Sequence, residues 1–235
     1  MRNGDKMSLV RRVALLASLM SLFLVPAQAE TLVPGTSEGA DTLFLSFLTS
    51  DAFASVIAQR TKAYESGLGY TCDEDRYTIG FRRAQIIRPV VTVAEGPLFI
   101  SENIAQPTGG MWSNKHVVTR CGSSVIYNSI ASVAPNGQLN VQHLVLGNTG
   151  LHSLLIIRFK PVVARMAAIP ECKAVSVADT RQGVAEGVTV SQPDAIYETW
   201  TINGCDQSVR LVIRFDRGEN NSGLVPVVEN RTVLN

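Results

Sequence analysis

The sequence predicts an α+β protein: two related units, each a helix packed on an antiparallel sheet, each with one disulfide. Three observations carry this reading. An apolar helical stripe followed by alternating strands occurs twice. Each time, one cysteine sits at the helix exit (Cys72, Cys172) and one beside the central strand (Cys121, Cys205). Sliding the chain over itself by 84 residues also gives seven ungapped identities over positions 89–125: Val91/Val175, Val93/Val177, Ala94/Ala178, Glu102/Glu186, Cys121/Cys205, Ser124/Ser208 and Val125/Val209. Average residue frequencies would give roughly two. The shared order is helix, Cys, strand, loop, strand, Cys, strand, turn, strand.

The first 29 residues read as a cleaved secretory signal. Arg2, Lys6, Arg11 and Arg12 form a positive start, 13–25 is apolar, and Ala27 and Ala29 flank a small-x-small cut site. The apolar run is short for a bilayer span, no cysteine stands at the cut, and no later segment is long and apolar enough to cross a membrane. Loss of the signal removes four basic residues and Asp5. That leaves 17 basic against 19 acidic residues of the 21 and 20 in the whole chain, a net charge of −2. Such a balance gives no electrostatic reason to expect nucleic acid or anionic membrane as a partner.

The expected organisation is a leader at 30–40, a first unit at 41–150 and a second at 151–235. The leader is rich in Gly, Pro, Ser and Thr. Asp41 or Ser50 can cap a helix, whose stripe is Phe53, Val56, Ile57, Arg60, Ala63 and Tyr64. Gly67 and Gly69 stop it. Strands are expected at 90–94, 98–101, 112–119 and 123–133, with a loop at 107–110 and a hairpin turn at Pro135, Asn136 and Gly137. A strand at 139–146 puts Leu139, Val141, His143 and Val145 on one face.

The second helix is expected over 151–168, on a stripe of Leu151, Leu154, Leu155, Val162, Val163 and Met166. Pro161 either kinks it or divides it. Strands follow at 174–178, 187–190, 196–202 and 208–215, with a break at Asn203, Gly204 and Cys205. In the last of these, Val209, Leu211, Ile213 and Phe215 face one way and Arg210 and Arg214 the other. A strand at 224–228 carries Pro226, the mark of a sheet edge.

An even cysteine count in an exported chain argues for two disulfides. The repeat pairs Cys72 with Cys121 and Cys172 with Cys205, although spacing alone leaves cross-unit pairing open. There is no C-x-x-C, and His116, His143 and His152 are scattered, so neither a metal nor another cofactor is expected. Gly35, Ser37 and Gly39 spell G-x-S-x-G, but without the strand and helix that motif requires. Asp73, Glu74 and Asp75 lack the spacing of a calcium loop.

Cys72 and Cys172 are 100 residues apart rather than 84, so the first unit carries 16 extra residues. That insertion holds Arg76, Arg82 and Arg83, the candidate residues for an acidic ligand or protein partner.

The second unit reads Glu198-x-Trp200-x-Ile202-x-x-Cys205-Asp206. The first reads Trp112-x-Asn114-x-His116-x-Val118-x-x-Cys121-Gly122. Together they resemble a W-x-E-x-W-x-V-x-x-C-G pattern of uncharacterised exported bacterial proteins, which implies an exported, disulfide-braced fold. Residues 142–147 are similar to the Q-x-V-x-G loop of cystatins with one residue too many, and a helix on four antiparallel strands is a cystatin-like layout. The expected function is a non-catalytic periplasmic or secreted protein that binds another envelope protein, with no assignment of oligomeric state. The alternatives are an envelope hydrolase using Ser37 or His116, or an inhibitor of one.

Overall fold

Ser50 starts the first long helix. Its backbone is extended and its Oγ accepts from the Phe53 N–H at 3.1 Å, the expected N-cap. The structure is a computed structural model describing residues 31–32, 42–70, 72, 77–93, 106–192, 195–218 and 223–234. The signal, most of the leader with its G-x-S-x-G, the acidic run, Arg76 and the strand expected at 98–101 lie outside the described residues.

The elements run β1 (Thr31–Leu32), α1 (Thr42–Leu48), α2 (Asp51–Gly67), β2 (Thr78–Val93), β3 (Gln106–Arg120), β4 (Ser123–Val133) and β5 (Leu139–Leu146). They continue α3 (Ser153–Met166), β6 (Val175–Gln182), β7 (Ile196–Gly204), β8 (Gln207–Arg217) and β9 (Leu224–Leu234). Two antiparallel sheets result, ordered β1-β2-β3-β4-β5 and β6-β7-β8-β9. The α+β class and both disulfides stand as expected: Cys72–Cys121 with Cα atoms 6.1 Å apart, and Cys172–Cys205 with 5.8 Å. Each bond ties the chain beyond a helix to a hairpin tip.

Several local expectations are corrected. Thr31–Leu32 is a short strand on Ala84 and Gln85 rather than part of a leader, and α1 was not foreseen. The buried stripe of α2 is Phe53, Ile57, Thr61 and Glu65, each four residues on, so Arg60 and Ala63 face solvent. The loop expected at 107–110 is strand. There β3 pairs only with β2, since β4 joins from Met111 onward, so Pro107 costs the ladder no second partner. The first unit's extra length is taken up as this β2–β3 ribbon.

Helix α3 runs through Pro161, which lies on its exposed side. Ile156, Phe159 and Val163 are buried, and Leu154 from the expected stripe is 49% exposed. Residues 187–190 form no strand. The hairpin turn falls at Cys205 and Asp206, and Gly204 ends β7.

The best-read strand was β8. Val209, Leu211, Ile213 and Phe215 enter the main core with Trp200, Ile202, Phe159 and Val163. Leu144 and Val145 of β5 join the same core, and α3 packs against strands of both sheets. The helix thus serves two sheets where the sequence reading assigned it one. It also buries residues 144–145 of the cystatin-like segment. A second core, under α1 and α2, gathers Phe44, Phe47, Phe53, Ile57 and Trp112. In it Phe44 meets Trp112 edge-on, 5.1 Å between centroids.

Gly204 is required by packing. A Cβ there would stand 2.6 Å from Val175 Cγ1 and 3.0 Å from Cys172 Sγ. Gly204→Ala is expected to cost about 1–3 kcal/mol of overpacking, read as a lower urea midpoint. Peptide mapping without reductant should return the same two cystines.

Candidate functional site

Strand alternation sends the side chains of β3 to two different places. Trp112, Asn114 and His116 point toward α1 and α2. Ser113 and Lys115 point into a polar cleft of about 290 Å³, which Arg83, Asn128, Thr149, His152 and Gln182 also line.

The cleft is shaped by Glu198 on β7. Its carboxylate is 1% exposed and accepts from the Thr149 hydroxyl (2.7 Å), the N–H groups of Gly150 (2.6 Å) and Leu151 (3.2 Å), and the Trp200 indole (2.8 Å). Burial pushes this carboxyl up, against those four donors. The loop so pinned offers the Thr149 carbonyl to Lys115 Nζ at 2.7 Å, and the Asn148 side chain at 3.1 Å. Burial lowers the Lys115 ammonium below the usual lysine range; Arg83 pushes it further down, and Glu198 opposes. No carboxylate is among the described residues lining the cleft.

Of the candidate partner-binding residues, Arg82 and Arg83 are exposed on β2, at a bulge between Phe81 and Arg83. Arg83 lines the cleft and Arg82 adds to the field on Lys115. The four cysteines lie at the disulfide clamps, away from this cleft's lining.

Beneath α2 lies a polar cluster that the sequence reading missed. Glu65, 2% exposed, accepts from Arg120 Nε (2.7 Å), from Tyr77 (3.1 Å) and from the Tyr127 hydroxyl. Burial raises its carboxyl, but the bonds from Arg120 and Tyr127 outweigh burial and hold it low. Spacing held a signal, since Glu65 continues the Phe53, Ile57, Thr61 series.

His143 is bracketed by hydroxyls, Ser129 Oγ at 2.8 Å from Nδ1 and Thr61 Oγ1 at 3.2 Å from Nε2. His116 stacks on Tyr127, 5.8 Å between centroids at 9°. Both its ring nitrogens, both polar atoms of the Asn114 side chain and the Trp112 indole N–H are buried without a hydrogen-bond partner among the described residues. Each such atom ordinarily costs about 1–3 kcal/mol. Among the described residues no three His, Cys, Asp or Glu side chains converge as metal ligands.

Comparison with protein-family models, curated proteins and solved structures found no match to this chain.

Both cluster histidines are neutral in the fold. Burial, then the His143 ring, lowers His116 from 6.5 to about 3; burial, opposed by Glu65, lowers His143 to about 4. Below pH 6.5 the unfolded chain binds protons that the folded chain refuses. Stability is therefore full above pH 6.5 and falls as pH drops toward 4, by about 1.4 kcal/mol per pH unit for each histidine. Urea unfolding across this range should show that slope, and His143→Gln should roughly halve it.

Proposed function

We propose that the protein is an exported, non-catalytic binding module. It is built from two copies of one disulfide-clamped unit and engages an acidic partner of the cell envelope. The observation that carries the binding site is that Arg83 and Lys115 line one polar cleft, with the charges of Arg83 and of nearby Arg82 both acting on the half-buried Lys115 ammonium. An anionic group placed there would favour the Lys115 ammonium, which burial and the two arginines disfavour. Arg76 joins them on its sequence position alone.

Two intramolecular disulfides favour an oxidising compartment, and the signal-like first 29 residues agree with it. The duplication is supported by register. Pairs Trp112↔Ala131 through Thr119↔Ser124 recur, each residue 84 positions on, as Ile196↔Phe215 through Asn203↔Ser208. The non-catalytic reading is supported by how the buried titratable groups are engaged. Glu198 and Glu65 are surrounded by donors. The Ser129–His143 pair lies beneath α2, with Ser129 fully buried, where no substrate carbonyl could meet the hydroxyl.

The test is the doubly substituted protein Arg82→Ala/Arg83→Ala in affinity capture from the native envelope. Both side chains are exposed, and thermal unfolding of the variant checks that the fold is kept. Partner affinity should drop at least tenfold and lose most of its salt dependence. Capture that is as strong and as salt-sensitive as before would refute the acidic-partner reading.

A further inference from the structure

On the opposite side of β3 from the cleft is a cavity of about 260 Å³. Its walls are Leu48 and Phe53 from the α1–α2 region, Ile57 of α2, and Ile79 and Phe81 of β2. Asn114 and His116 supply the polar wall. They are 3% and 2% exposed, and neither side chain has a hydrogen-bond partner among the described residues. Thr49 also lines the cavity and is exposed, so the space reaches the surface there.

We propose that this cavity is a binding site for a small neutral amphiphile, a compact apolar or aromatic body bearing a hydroxyl or amide. The polar wall selects the head group. Asn114 offers one acceptor and two donors, and a neutral His116 offers one of each. The described lining carries no acid, lysine or arginine, so an ionised head group would be desolvated without a counter-charge. The other walls select the body. A cavity of roughly 150 Å³ already holds benzene, so a substituted ring fits here.

The second half of the chain shows the same positions filled from within. Eighty-four residues on from Asn114 and His116 stand Glu198 and Trp200, which bond each other, and the loop before α3 donates to Glu198. In the first half, the residues before α2 line a cavity instead.

The probes are phenol, benzene and benzoate, titrated calorimetrically into the full chain, with Asn114→Leu and Ala54→Leu as variants. Ala54 lines the cavity from a helix that accepts leucine. Phenol is expected to saturate one site at millimolar concentration or below, benzene to bind at least tenfold more weakly, and benzoate not at all. Asn114→Leu should weaken phenol about tenfold and leave benzene unchanged, and Ala54→Leu should abolish both. Should Asn114→Leu fail to fold, phenol-induced shifts of the His116 ring signals in the unsubstituted protein decide the matter. Absence of phenol binding, equal affinity for phenol and benzene, insensitivity to Ala54→Leu, or a phenol-soaked crystal with only water at Asn114 and His116 would overturn the proposal.

Discussion

The buried carboxylate of Glu198 is the constraint on which much of the arrangement rests. Removing it from water costs several kcal/mol, and only a complete set of donors offsets that. The donors come from Trp200 on its own strand and from Thr149, Gly150 and Leu151, the segment leaving the first sheet for α3. One residue of the second sheet therefore fixes where the first sheet ends and where α3 begins. The same join is held by Thr180, whose hydroxyl donates to the Leu146 carbonyl at 2.6 Å. It is held again by Gly147 at φ 92°, where any Cβ would collide with the Thr180 backbone. Because the loop is fixed, its Thr149 carbonyl is in place for Lys115, and the cationic cleft inherits its shape from a carboxylate that does not line it.

The first half of the chain solves the corresponding problem differently. Its buried acid lies not on the strand but on α2, as Glu65, and its donors come from Arg120, Tyr77 and Tyr127 near the disulfide end of the sheet. That shift leaves the strand positions of Asn114 and His116 without the carboxylate that makes Glu198 and Trp200 self-sufficient. A neutral amide and a neutral imidazole can be buried where a charge could not, but their unpaired atoms still carry a desolvation cost. The cavity beside them is where that cost can be met.

Much of this was legible in the sequence, and the failures have physical reasons. Strands β4, β5 and β8 announced themselves because alternation and turn residues agreed. The cystines followed from the repeat. The face of α3 was read in part: Leu151, Leu155, Val163 and Met166 do meet the core, but Leu154 is exposed, and a helix lying between two sheets also buries Ile156 and Phe159. The strand start at Thr78 was missed because the stretch up to Arg88 is polar and charged, with Arg82, Arg83 and Arg88 on β2. Exposed sheet positions tolerate such residues freely. The candidate site was legible only as a basic cluster. Lys115 and Glu198 could not be joined from spacing, because they lie on different sheets and meet through a loop.

Strand β3 also explains why a charged cleft and an uncharged cavity can sit so close together. Its period of two places Lys115 on one face and Asn114 and His116 on the other, separated by the thickness of one sheet. The helix-covered face excludes water, so a cation there would need an acid beside it. The one acid that α2 buries is already committed to Arg120 and the two tyrosines. His116 consequently stays neutral, and beside the Glu65–Arg120 pair the polar groups on this part of the face, Asn114, His116 and His143, are uncharged. The other face is open to solvent at Arg82 and Arg83, whose charges both act on Lys115. Burial, applied unequally to the two sides of one strand, thus sorts the chemistry that each side can perform.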